Sequence, residues 1–192
     1  MTILRKGELK MKRLSLTVSC IMLLSSCLDA EKFALSLDLK DKTAEVGYSN
    51  IVSSSEEEDK IKGDFEELLK TAYGSKDDQG DSPRKPISAT LTEDGGKLDG
   101  VARYSFKDNS EMLKEYEIRT DEKGDYIFDL SKESNLEYAG GNGTYIEDGK
   151  KRIVRWDSTS TSLKVKLNNK AFDAKDTSLL SYWLEWKKKN PK

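Results

Sequence analysis

The spacing of apolar and polar residues changes several times along the chain, and each change predicts an element. Phe33, Leu35, Leu37 and Leu39 alternate with Ala34, Ser36 and Asp38, the period-2 pattern of a strand with one face on a core. Asp41-Lys42-Thr43 suits a turn, and Ala44 to Tyr48 returns as the second strand of a hairpin. Ser53 to Gly74 then takes helical spacing, with Ile61, Phe65, Leu68, Leu69 and Ala72 on one stripe. Ser55 with Glu58 fits a capping box, Glu56, Glu57 and Glu58 suit the positive end of the helix dipole, and Gly74 suits the stop. From Ser75 to Pro86 the two prolines are the only apolar side chains, which predicts a flexible surface loop at 75–86.

Short strand-like runs follow: Ile87 to Thr92, Val101 to Phe106, Met112 to Arg119, Tyr126 to Leu130, Gly143 to Glu147, Lys151 to Trp156 and Leu163 to Leu167. Turn residues such as Glu93-Asp94-Gly95-Gly96 and Glu147-Asp148-Gly149-Lys150 separate them. Regular spacing without intervening helices predicts an antiparallel meander. A last helix is expected where Leu179, Leu180, Trp183, Leu184 and Trp186 line one side, with Asp176 or Thr177 as its cap and Lys187 to Lys189 at its negative end. The predicted fold class is α+β: a curved antiparallel meander sheet of about seven to nine strands, one helix after the first hairpin and one C-terminal helix. Residues 33–192 form a single domain in this reading.

The N-terminus has a different character. Residues 1 to 13 carry Arg5, Lys6, Lys10, Lys12 and Arg13 against Glu8, and residues 14 to 24 carry no charge. A basic region followed by an apolar one is the layout of an export signal. Eleven helical residues span about 16 Å, roughly half of a ~30 Å hydrocarbon core, so a cleaved segment 1–26 is expected rather than a permanent span. Met11-Lys12-Arg13 has the form of a natural start, with residues 1 to 10 as an upstream extension.

Leu24-Ser25-Ser26-Cys27 places two small residues between a branched aliphatic residue and a cysteine, and resembles the lipobox of bacterial lipoproteins. The resemblance covers residues 11 to 27 and no family is recognised for the rest. It implies a diacylglycerol on the Cys27 thiol, a cut after Ser26 and, as is usual in that family, acylation of the new amino terminus. Two or three acyl chains, at about 0.8 kcal/mol per buried methylene, would hold the protein on a membrane. Leu28 rather than aspartate follows the cysteine, so outer-membrane delivery is the default implied. Residues 27–32 would be a short tether spanning about 17 Å beyond Cys27.

Composition narrows the chemistry. The 192 residues include 33 basic and 35 acidic side chains, no histidine and two cysteines. Without histidine there is no imidazole general base and none of the usual zinc or iron ligand sets. Cys20 would leave with the signal, which leaves Cys27 as the one mature thiol and no internal disulfide. Loss of residues 1 to 26 removes five basic residues and one acidic residue, so the mature charge is −6. An acidic domain argues against nucleic acid as a partner.

Other motifs have a bland reading that is favoured. Asp77, Asp78 and Asp81, and the run Asp121 to Asp125, look superficially like calcium ligands, but EF-hand spacing fails and turn aspartates suffice. Gly140-Gly141-Asn142-Gly143 precedes a strand, not a helix, so a wide turn or bulge is preferred to a phosphate loop. Asn142-Gly143-Thr144 matches a glycosylation triplet. Trp183 and Trp186 with the lysines read as a docked helix rather than a membrane-surface one. Arg103, Arg119, Arg152 and Arg155 are possible anion holders. The expected function is a non-enzymatic, membrane-anchored envelope lipoprotein acting as a binding or structural module, with no cofactor, no metal and an envelope protein or small ligand as a possible partner. Its rivals are a carrier of an apolar ligand among Tyr104, Phe106, Tyr116, Tyr126, Phe128, Tyr138, Tyr145 and Trp156, and a carboxylate hydrolase acting on cell-wall sugar.

Overall fold

A computed structural model describes residues 27–73 and 84–191. The chain runs β1 (Leu28–Asp38), β2 (Thr43–Ser53), α1 (Glu58–Tyr73), β3 (Arg84–Asp94), β4 (Lys97–Phe106), α2 (Asn109–Glu115), β5 (Ile118–Thr120), β6 (Tyr126–Asp129), β7 (Leu136–Gly141), β8 (Thr144–Asp148), β9 (Lys151–Trp156), β10 (Ser162–Asn169), β11 (Thr177–Ser178) and α3 (Leu180–Lys189). The fold class is α+β with a large antiparallel sheet, as the alternation indicates. Its strands follow the order β3-β4-β2-β1-β10-β7, with the short β11 added beside β2.

Several boundaries differ from the sequence reading. The expected single sheet is two, because β5-β6-β9-β8 form a separate four-stranded sheet. Both sheets contribute to one core: Leu37, Val46, Leu163 and Val165 of the large sheet join Ile118, Phe128, Val154 and Trp156 of the small one. β10 inserts beside β1, pairing Leu163 with Leu37 and Val165 with Leu35, so the order of strands in space departs from a simple meander.

Met112 to Arg119, expected as a strand, is α2 followed by β5. Asp108 decides this locally, because its carboxylate accepts the Glu111 N–H at 2.9 Å and caps the helix. Met112 and Tyr116 then fall one turn apart and both are fully buried. Glu117 ends the helix with φ of 53°, and its N–H donates to the Lys114 carbonyl. β7 is a strand that the apolar period does not reveal: its Leu136 and Tyr138 face the core, while Glu137 and the glycines hide the alternation.

The first helix starts at Glu58, not Ser53, which belongs to β2. Ser55 accepts the Glu57 N–H at 3.3 Å instead of closing the expected box. For the last helix, Ser178 rather than Asp176 or Thr177 accepts the Leu180 N–H, at 3.3 Å. Of the predicted loop 75–86, residues 75–83 lie outside the described residues, and Arg84 to Pro86 are strand. The predicted signal segment and Leu24, Ser25 and Ser26 also lie outside the described residues. Among the described residues, no helix is long and apolar enough to cross a membrane.

A second core sits under α1 and α3, where Ile61, Phe65 and Leu68 meet Leu91, Leu98, Leu179 and Trp183. Each of these buried side chains stabilises the fold by about 1.5–3 kcal/mol relative to exposure.

Candidate functional site

The expected tether does not exist as a tether. β1 begins at Leu28, and both Leu28 and Ala30 are buried, so folded structure starts one residue after Cys27. Leu28 pairs with Ser53 at the end of β2. The Cys27 carbonyl accepts from the Ser54 N–H at 2.8 Å and from its hydroxyl at 3.1 Å. The Cys27 N–H donates to the Asp64 carboxylate at 3.2 Å, whose other oxygen accepts a short hydrogen bond from the Ser53 hydroxyl. Cys27 itself is exposed. The residue therefore has its backbone fixed on both sides while its side chain is open to chemistry.

Asp64 went unnoticed in the sequence, although a signal was present. It lies three residues after Ile61 and four before Leu68, a carboxylate inside the apolar stripe of α1. Its 6% exposure shows that the stripe carries it into the core region.

The remaining candidates are drawn into structural work. The eight aromatics of the carrier reading all belong to, or pack against, the core between the sheets. The cavity left among them measures about 40 Å³ and is lined by Phe33, Tyr48, Tyr116 and Phe128 among others. Ligand pockets run from about 300 to 1,000 Å³, so this volume suits a water-sized guest. An open groove of about 490 Å³ crosses the large sheet, bordered by Lys32, Tyr48, Ser49, Asp99, Lys166 and Asn168.

Each of the four arginines has an internal partner. Arg103 pairs with Glu45 at 2.9 Å, Arg119 with Asp129 at 3.3 Å, and Arg155 with Asp121 at 3.1 Å and with Asp125 through Nε at 2.8 Å. Arg152 donates to the carbonyls of Leu130, Glu133 and Leu136 and ties the loop before β7. In the Asp121 to Asp125 turn, Asp121 accepts the N–H groups of Lys123 and Asp125, while Arg155 supplies the cation. The aspartates 77, 78 and 81 lie outside the described residues.

The glycine-rich segment is the bulge and tight connection that the strand after it suggests. Register slips between Lys166 and Leu167, opposite Tyr138 and Gly140. Asn142 staples the connection: its carbonyl oxygen accepts Trp156 Nε1 at 2.8 Å and the Lys164 N–H at 2.7 Å, and its Nδ2 donates to the Ser162 carbonyl at 2.8 Å. A glycan on Nδ2 would compete with that last bond. Asn142→Ala is expected to cost about 1–2 kcal/mol in urea unfolding, since the part-buried indole N–H of Trp156 loses its partner while the exposed Lys164 N–H and Ser162 carbonyl turn to water. An unchanged midpoint would show that water replaces the amide without loss.

The C-terminal helix docks on α1 through Tyr73 stacked on Trp186 at 5.0 Å and Phe65 against Tyr182 at 5.9 Å. Trp183 is buried, and Lys187 lies over its ring at 4.7 Å.

Among the described residues, Glu133 is the other buried carboxyl. Burial first, and then the charge of Glu117, hold it above the ordinary glutamate range, with Arg152 and Lys132 opposing. Neither Glu133 nor Glu117 borders either cavity described above. A folded-state value raised above the unfolded one means that stability is greatest below the unfolded value and falls as pH rises through the folded value. Glu133→Gln is therefore expected to raise the melting temperature at pH 7 and to lose that advantage toward pH 4. A stabilisation equal at both pH values would assign the effect to packing.

Compared with protein-family models, curated proteins and solved structures, the chain matches none of them.

Proposed function

We propose that the protein is a lipid-anchored envelope lipoprotein whose domain acts as a non-enzymatic binding or structural module at the membrane surface. The observation that carries this reading is Leu24-Ser25-Ser26-Cys27 placed directly after an uncharged segment with a basic flank. The exposed side chain of Cys27, one residue before the first strand, is compatible with a modified thiol that does not disturb the fold. The reading places the domain directly against the bilayer, with outer-membrane delivery as the address suggested by Leu28.

The open groove on the large sheet supports the binding side of the proposal, because Phe33, Tyr48, Val101 and Leu167 line it together with Lys32 and Lys166, a mixed apolar and cationic surface open to a partner. The apolar-carrier reading finds little support in a 40 Å³ interior. The hydrolase reading would need two carboxylates facing one another across a cleft, and Glu133 lies away from both described cavities.

Growth of the native host with labelled palmitate is the direct test. Incorporation into the protein, together with an N-terminal peptide that starts at Cys27, is the expected result. Recovery of an unlabelled and uncut product would overturn the proposal.

A further inference from the structure

Two rows of residues cross the strands of the large sheet side by side. Cα pairing puts Val101 beside Gly47, Gly47 beside Ala34 and Ala34 beside Lys166, so one row has glycine and alanine at its middle. In the next row Thr92 pairs with Asp99, the Ser49 hydroxyl donates to Asp99 at 3.2 Å, and Lys32 pairs with both Ser49 and Asn168. Small residues beside a taller polar row leave the open groove of about 490 Å³. From Thr92 of β3 to Ala139 of β7 it crosses every strand of the order β3-β4-β2-β1-β10-β7, a length of about 24 Å at ~4.8 Å per step.

The charges along it are unevenly matched. Asp99 is occupied on both oxygens, because it also accepts the Asn50 N–H at 2.9 Å. Glu31 is drawn to Lys97 at 2.6 Å and to the Asn50 amide at 3.0 Å, and stands 3.7 Å from Lys32. Glu45 pairs with Arg103. Lys164 and Lys166 are exposed and, among the described residues, neither forms an ion pair. Glu137, beside Asn168 on β7, does not border the groove. The β1–β10 end is therefore cationic on a chain of net negative charge, and is complementary to an anionic partner.

Shape selects among anionic partners. A protein partner anchors through a large side chain in a fitted pocket, and a floor of Gly47, Ala34 and Ala139 is a shallow channel without such a recess. Sugar rings are thin and two-faced: the C–H groups of a ring can lie on Val101 and Ala34 while its hydroxyls meet Thr92, Ser49, Asp99 and Asn168. We infer that the groove binds a linear glycan bearing carboxylates, with its hydroxyls along the row from Thr92 to Asn168 and its carboxylates on Lys32 and Lys166. The inference rests on the binding half of the function proposed above, and lipidation plays no part in it.

The test titrates full-length protein, purified in detergent from the native host, with sodium polygalacturonate. Amylose serves as the uncharged glycan and poly-L-glutamate as the acidic peptide. Binding of polygalacturonate alone is expected. It should weaken as salt rises from about 0.1 M to about 1 M, where the screening length falls from about 10 Å to about 3 Å. Lys32→Glu combined with Lys166→Glu should cost at least about tenfold in affinity, the effect of two ion pairs turned to repulsion on a solvated surface. Ala34→Leu, which fills the floor without a change of charge, should abolish binding, whereas Lys150→Glu, at the tip of the β8–β9 hairpin, should leave it unchanged. No binding of polygalacturonate, equal binding of amylose or poly-L-glutamate, or full affinity in the groove variants would overturn the inference. Palmitate incorporation reads the lipoprotein proposal separately: a labelled protein that ignores the glycan loses the groove assignment alone, and an unlabelled one that binds it loses the anchor alone.

Discussion

Cys27→Ala is expected to move the protein from the membrane pellet to the soluble fraction and to abolish palmitate incorporation. The magnitude follows from the loss of the thiol that accepts lipid. A single sixteen-carbon chain contributes on the order of 10 kcal/mol of membrane partitioning, and two chains make release immeasurably slow. The fold should not notice the change. Cys27 is exposed, and its hydrogen bonds to Asp64, Ser54 N and Ser54 Oγ all use backbone atoms that alanine retains. A surface substitution of this kind shifts stability by less than about 0.5 kcal/mol. Fractionation should therefore change completely while the urea midpoint of the released domain does not. Persistence of the alanine variant in the pellet after a carbonate wash would mean that something other than the cysteine holds the protein there.

Gly141→Ala is expected to be the most damaging single-methyl substitution in the domain. A Cβ at this position would lie 2.1 Å from the carbonyl oxygen of Lys164, 3.0 Å from its carbon and 3.1 Å from the Cα of Val165. All three are backbone atoms of β10, the strand that joins β7 to β1, so no side chain can swing aside. The residue also has φ of 149°, which alanine tolerates poorly. We expect a loss of more than about 4 kcal/mol, enough to prevent folding in a domain of ordinary stability. Gly140 supplies the control. It has nearly the same φ, 148°, but a Cβ there meets nothing within 4 Å. Gly140→Ala should thus show the backbone strain alone, about 1–3 kcal/mol. Equal urea midpoints for the two variants would exclude the close approach of β10 to β7.

These two variants also separate what the residues reveal from what they conceal. The glycine run read as a turn or bulge from its composition, and a bulge is there. That Gly141 is pressed against Lys164 depends on the pairing of β7 with β10, and β7 itself was hidden because glutamate and glycine interrupt its apolar period. α2 reads as a strand in the linear sequence for a related reason. Met112, Tyr116 and Ile118 fit a period of two as well as one helical turn followed by a strand, and only the Asp108 cap distinguishes the two. The candidate site shows the same division. Cys27 stands out in the linear sequence, whereas Asp64 acquires meaning only when a helix 37 residues away brings its carboxylate to the Cys27 nitrogen.

Taken alone, the order of residues determined the α+β class, the one-sided strands β1 and β10, the amphipathic helices α1 and α3, the absence of imidazole chemistry and the lipid-box resemblance. These depend on periodicity, caps and composition, which act over a few residues. The tertiary structure decided the partition into two sheets, the seat of β10 beside β1, the burial of Asp64 and the absence of any slack between Cys27 and the domain. Such features arise from contacts between residues as far apart as Leu37 and Leu163, where burial of apolar surface and satisfaction of backbone hydrogen bonds outweigh local preference.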